Sequence, residues 1–107
     1  MSTPIAITDA EFAAEVLNAS SPVLVYFWDE WCGPCRLVSP SIDQIAAEYG
    51  DRLKVVKMQV DPNPETVKAY AVEGVPGLRL FQHGEVTAST EGAKTKQQLV
   101  DLVESNL

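Results

Sequence analysis

Two cysteines, Cys32 and Cys35, stand three positions apart in Trp31-Cys32-Gly33-Pro34-Cys35 and are the only cysteines of the chain. They follow an apolar run and open a stretch with helical periodicity. At a helix N-terminus the free N–H groups and the helix dipole stabilise negative charge. A thiol there ionises more readily, and the thiolate is the nucleophile. Cys32, at the very start, is the expected attacking sulfur. Cys35 lies one turn along on the same face, within disulfide reach. It is placed to break a mixed disulfide formed by Cys32. Gly33 allows a tight entry, Pro34 suits a first helical turn, and Trp31 offers an apolar docking rim. A Cys-x-x-Cys can also be half of a zinc site, but there is no second pair. The single histidine, His83, falls in an expected hairpin turn, so no metal site is expected. Two buried inert cysteines, or a purely structural disulfide, are the remaining uses of this pair. The disulfide fits poorly with a reducing compartment.

The elements that must position this pair are legible in the punctuation. Thr8 with Glu11 forms a capping box ahead of Phe12, Ala13, Val16 and Leu17, which share one helical face. Ser20-Ser21-Pro22 breaks the chain. Val23 to Trp28 is a continuous β-rich apolar run, the mark of a strand buried on both faces. The motif follows, and a long helix carries Val38, Ile42, Ile45 and Tyr49 at helical intervals. Pro40 inside it predicts a kink. Gly50-Asp51 ends that helix, and Leu53 to Val60 reads as a second buried strand. Asn63-Pro64 opens a short helix, with Asn as its cap, that ends near Tyr70 or Ala71. Gly74 to Gly77 is a break. Leu78–Gln82 and Glu85–Thr90 flank His83-Gly84, a hairpin signal. Thr95 and Gln98 cap a last amphipathic helix with Leu99, Leu102 and Val103. The order β-α-β-α-β-α-β-β-α gives an α/β fold, a mixed sheet of about five strands with helices on both faces.

A chain of 107 residues reads as one domain, 1–107, with enough apolar content (46%) for a real core. Eight Lys+Arg against fifteen Asp+Glu leave a net charge of −7. That balance argues against nucleic acid or an anionic membrane surface as partner. The longest apolar run is six residues, against the roughly 20 that a spanning helix needs. No basic-then-apolar leader is visible, so the expected compartment is the cytoplasm.

Trp28-Asp29-Glu30-Trp31-Cys32-Gly33-Pro34-Cys35, with Val75-Pro76 further on, resembles the thioredoxin family, and the likeness runs from the Thr8 helix to Leu107. The sequence WCGPC is far more specific than a bare CxxC. The resemblance implies the thioredoxin fold, a mixed five-stranded sheet flanked by four helices. It implies a protein-disulfide reductase with Cys32 as nucleophile, Cys35 as resolving thiol and no cofactor beyond the Cys32–Cys35 redox disulfide. Gly-Pro between the cysteines resembles the reducing branch of the superfamily. Pro76 would be a cis-proline facing the disulfide, with the Val75 backbone pairing to a substrate strand. Trp31, Gly33, Pro34, Gly92 and Ala93 would line the docking surface, and Trp28 would pack beneath the motif. Implied partners are protein disulfides and a thioredoxin reductase, either an NADPH-dependent flavoenzyme or a ferredoxin-dependent one. Nothing requires more than a monomer.

Several residues depart from the family pattern. Most members carry a buried Asp where this chain has Tyr26, paired with a strand lysine that is present here as Lys57. Period-two alternation puts Lys57 on one face with Leu53 and Val55. Without that Asp, Lys57 is left without a carboxylate in an apolar place, which disfavours its charged form. It is then a candidate acceptor for the Cys35 proton. The plainer reading is a side chain snorkelling to water. Tyr26, with Val72-Glu73-Gly74-Val75-Pro76-Gly77, resembles a divergent cyanobacterial and plastid type. Gly77 replaces a common Thr. Asp29, Glu30 and Arg36 read as solvated charges screened over about 8–10 Å, or as selectors of partners by charge. Beside the reductase stands a second class, a non-catalytic binding module using the same apolar surface.

Overall fold

The computed structural model describes residues 2–107. Its strands are β1 (Ile5–Ala6), β2 (Val23–Trp28), β3 (Lys54–Gln59), β4 (Gly77–Gln82) and β5 (Glu85–Glu91). Its α-helices are α1 (Gly33–Tyr49), α2 (Pro64–Ala69) and α3 (Lys96–Glu104). The five strands form one mixed sheet in the order β1-β3-β2-β4-β5. β3 runs parallel to β1 and β2, and β4 is antiparallel to β2 and β5. β2 is apolar throughout because both its faces are covered, Leu24 and Tyr26 in one core and Val23, Val25 and Phe27 in the other. His83 and Gly84 turn the β4–β5 hairpin with φ of 52° and 79°. Positive values at both central residues match the right-handed twist of the flanking strands.

Two cores separate along the alternation of the strands. Leu24, Tyr26, Leu53, Val55, Leu78 and Leu80 pack against Val38, Ile42 and Ile45 of α1 and Leu99 and Val103 of α3. The opposite face, with Val23, Val25, Phe27, Val56, Met58 and Phe81, packs against Phe12 and Val16. Phe12, Tyr70 and Phe81 close that second core as an aromatic trio with centroid separations of 5.3, 5.5 and 5.0 Å. Helix α1 continues through Pro40, which is exposed. The Arg36 carbonyl loses its N–H partner there, on the exposed side of the helix.

Two local expectations are corrected. The segment after Thr8 is not a regular α-helix. It winds as a 3-10 turn, Asp9–Glu11, and then a π turn, Ala13–Leu17, with Ala13 exposed. Glu11 does reach back to the Thr8 N–H at 2.9 Å. Asp9, however, serves α2: its carboxylate accepts from Glu65 N–H (3.0 Å), Thr66 N–H (2.9 Å) and the Thr66 hydroxyl (2.6 Å). Asn63 sits at the N-cap position of α2, but its side chain accepts from Asp9 N–H and donates to the Gln59 carbonyl. The first turn is thus drawn toward α2, and its winding follows that attachment rather than its own periodicity. Burial raises the Asp9 carboxyl and the Thr66 and Glu65 donors lower it; the net result lies below the usual range.

Candidate functional site

The β2 strand delivers the motif to the edge of the core. Its last residue leads into Asp29-Glu30-Trp31, and the Cys32 N–H donates back to the Asp29 carbonyl at 3.2 Å. Cys32 is the N-cap of α1, with extended backbone (φ −88°, ψ 103°), and its sulfur accepts the Cys35 N–H at 3.1 Å. That N–H and the helix dipole are the two features that favour a thiolate at Cys32. Cys32 and Cys35 are joined by a disulfide, with Cα atoms 5.3 Å apart. Both cysteines are buried, whereas Gly33 and Pro34 between them are exposed.

Asp29 is not a solvated charge. It is only 4% exposed, and its carboxylate accepts from Glu30 N–H (2.7 Å), Gln59 Nε2 (3.0 Å) and Asp61 N–H (3.0 Å). The Gln59 amide contributes most to holding its carboxyl below the usual range, against the upward push of burial. Asp29 therefore ties the turn before Cys32 to the loop after β3. Asp61 in that loop accepts from Trp31 Nε1 at 3.0 Å, which orients an indole that is 63% exposed. Glu30 and Arg36 are exposed.

Beneath the motif, Tyr26 is buried, and its hydroxyl donates to the Cys35 carbonyl at 3.1 Å. It also lies 2.9 Å from Ser39 Oγ. Burial pushes its phenol up, so it stays neutral at ordinary pH. Tyr26 and Lys57 are register partners on neighbouring strands. Together with Trp28, Ser39, Ile42 and Asp43 they line a cavity of about 120 Å³. Lys57 was expected to lack a carboxylate. α1 brings Asp43 to the lining of the same cavity, and among the described residues Lys57 makes no ion pair. Trp28, Ser39 and Asp43 also line an open groove of about 540 Å³ together with Cys35 and Arg36. Cys35, Ser39 and Asp43 recur every four residues, a stripe of α1 that the sequence displays and that periodicity could have found.

On the other side of the motif, Trp31 and Val75 share a shallow apolar groove with Val60, Val67 and Val72. The Val75–Pro76 peptide is cis, the isomer that the resemblance implies. Pro76 is buried, and its carbonyl accepts the Gly92 N–H at 2.8 Å, while Ala93 is exposed. A Cβ on Gly77 would lie 2.9 Å from the Gly74 carbonyl oxygen, so the bend before β4 has no room for a side chain. Arg79 and Glu91, which hold this bend, were not anticipated. A charged residue inside Leu78-Arg79-Leu80-Phe81 was the available signal, since buried charges demand partners. Among the described residues no group of three or more His, Cys, Asp or Glu is arranged to hold a metal ion, and no helix is long and apolar enough to cross a membrane.

A mixed five-stranded sheet presenting a Cys-x-x-Cys disulfide at a strand-to-helix turn, with a cis-proline just before β4, defines a thiol–disulfide exchange domain. The family model for thioredoxin matches residues 3–105. A thioredoxin-like protein of Synechocystis sp. is 54% identical over 101 residues, 94% of this chain and 93% of the relative. Thioredoxin 1 of Synechococcus elongatus is 44% identical over 107 residues, the full length of both. Thioredoxin of Acidithiobacillus ferridurans is 46% identical over 101 residues, 94% of each. The chain belongs to the thioredoxin family of thiol–disulfide oxidoreductases.

Proposed function

We propose that this chain reduces disulfides of protein substrates, with Cys32 as nucleophile and Cys35 as resolving thiol. The Cys32 thiolate attacks one sulfur of the target, a mixed disulfide forms, and the first target thiolate leaves and takes a proton. Cys35 then loses its proton and attacks the Cys32 sulfur. The Cys32–Cys35 bond forms, and the second target thiol is released. Two electrons and two protons from a separate reductase restore the dithiol. In this reading that reductase is an NADPH-dependent flavoenzyme or a ferredoxin-dependent one, the chain works as a monomer, and its compartment is reducing, such as the cytoplasm. The observation that carries the reading is the disulfide itself, seated with Cys32 at the N-cap of α1 where a thiolate is favoured.

The surrounding residues take supporting roles. Trp31, Val75, Gly92 and Ala93 receive the substrate polypeptide, and Gly33 and Pro34 keep the approach to the sulfurs open. Pro76 faces the disulfide across the groove, and Trp28 packs beneath the motif. Tyr26 fixes the first turn of α1 through the Cys35 carbonyl. Lys57 takes part in moving the Cys35 proton, through water in the cavity it shares with Tyr26, Ser39 and Asp43. That cavity is roomy and polar enough to hold water, which needs only about 10–15 Å³ and two to four polar partners.

The test is reduction of insulin disulfides with dithiothreitol as donor, which removes the unknown reductase from the question. Wild type is expected to accelerate turnover, and Cys32→Ser to give the rate of dithiothreitol alone. A wild type no faster than the donor would overturn the reductase reading in favour of a binding module.

A further inference from the structure

Arg79 is a charged side chain in the middle of a buried strand, 6% exposed, and all its donors are committed. Nε and Nη2 bond the Tyr70 carbonyl at 3.3 and 3.2 Å, and Nη2 also bonds the Ala71 carbonyl at 3.2 Å. Nη1 bonds the carbonyls of Leu78 (3.0 Å) and Thr90 (3.4 Å). Nη2 completes the set with a 2.8 Å ion pair to Glu91 Oε2. The same carboxylate oxygen accepts the Glu73 N–H at 3.1 Å, and the Gly74 N–H also bonds this carboxylate. One ion pair thus grips the chain at residues 70, 71, 73 and 74.

That stretch needs gripping. Ala71 holds φ at 51°, a left-handed value that is unfavourable for a non-glycine residue and persists only where neighbours impose it. Immediately after it, Val72 and Val75 form a wall of the apolar groove that Trp31 closes from the motif side. The groove is therefore half built by a segment whose backbone is set by Arg79 and Glu91. Stability alone does not explain the arrangement, since replacing a buried ion pair by apolar groups is often neutral or stabilising. Its distinctive product is the position of the loop.

We propose that Arg79 and Glu91 are positioning residues for substrate: by fixing residues 70–74 they set the shape of the groove beside the redox disulfide, and with it the affinity for polypeptide flanking a target disulfide. Neither residue takes part in the exchange of sulfur bonds. The inference rests on the reading that this groove receives that polypeptide.

The experiment compares two disulfides in wild type, Arg79→Met and Glu91→Gln. One is insulin, whose disulfides carry flanking chain. The other is 5,5′-dithiobis(2-nitrobenzoate), which carries none. In Arg79→Met, kcat/KM for insulin is expected to fall about tenfold, through KM, while the rate with the small disulfide stays within about twofold. Glu91→Gln is the milder variant, should Arg79→Met fail to fold, and moves in the same direction. Amide hydrogen exchange at Glu73 and Gly74 is expected to quicken in both variants, with exchange at Cys35 unchanged. Equal losses on the two disulfides, an unchanged KM for insulin, or unchanged exchange at Glu73 and Gly74 would overturn the assignment. A wild type inactive on both disulfides would instead sink the reductase reading, with the exchange data still reporting on the loop.

Discussion

Gly77 stands where the resembled family commonly carries Thr, so restoring a side chain looks like an improvement. The structure argues the reverse. A Cβ there would sit 2.9 Å from the Gly74 carbonyl oxygen, 3.4 Å from Val72 Cγ1 and 3.7 Å from Phe27 Cβ. A comfortable carbon–oxygen contact is about 3.3 Å, so the Gly74 carbonyl must retreat by roughly 0.4 Å. It is backbone, in a segment whose neighbouring N–H groups are held by Glu91, so the retreat is resisted. Overpacking of this kind costs about 1–3 kcal/mol. Against it stands the reduced freedom of the unfolded chain, about 0.4–1 kcal/mol for Gly to Ala, available because φ at Gly77 lies outside the left-handed region. The balance is a loss near 1 kcal/mol for Gly77→Ala, or a fall in Tm of about 5 °C for a chain of this size. Gly77→Thr should fall further, because its added atoms meet Val72. Gly33→Ala is the control, since a Cβ there meets nothing within 4 Å; its Tm should barely move. The assay is reversible thermal unfolding of the oxidised protein by far-UV circular dichroism. A Tm for Gly77→Ala at or above wild type would refute the reasoning, showing that the loop yields without cost.

Tyr26→Phe removes the hydroxyl that bonds the Cys35 carbonyl and meets Ser39. It should cost about 1 kcal/mol in denaturant unfolding, because the cavity beside Ser39 lets water restore part of the bonding. Lys57→Met should shift or flatten the pH–rate profile of insulin reduction, and superimposable profiles would remove Lys57 from proton transfer. Asp9, Asp29 and Glu91 all have carboxyls held below their usual range. A depressed folded-state pKa gives stability that is full above the unfolded value, about 4, and is lost as pH falls through the lowered one. Asp9→Asn should therefore reduce stability at pH 7 and make the acid-side decline shallower, as followed by urea midpoints between pH 7 and 2.5.

Much of the fold was legible because its strongest signals are local. The apolar run Val23–Trp28 is the strand observed, α1 ends at Tyr49 as read, and Thr95 and Gln98 exchange their capping bonds at 3.1 and 2.9 Å. The cysteine pair declared itself by spacing alone. What escaped was set by contacts distant in sequence. The winding of residues 9–17 depends on Asp9 reaching Thr66, a partner 57 positions away. Asp29 read as a surface charge because its donors, Gln59 and Asp61, are brought to it only when β2 and β3 pair. Asp43 came to line the Lys57 cavity for the same reason, through the seating of α1 on the sheet. Arg79 stood in the sequence as a charge inside an apolar run and went unread, and its carboxylate could not be named until the β4–β5 hairpin fixed the register.

The sheet ends in two quite different borders. β1 is only two residues long, and β5 carries a glutamate at each end, with a register shift opposite it between Leu80 and Phe81. An open border of a sheet is a template on which foreign strands can add, and short length, charge and local irregularity are the devices that discourage this. With a net charge of −7 adding mutual repulsion, the molecule gives an intruding strand nowhere flat, apolar and long enough to extend the ladder. In the proposed reading, recognition of substrate backbone falls to the loop at Val75–Pro76, away from the rims of the sheet.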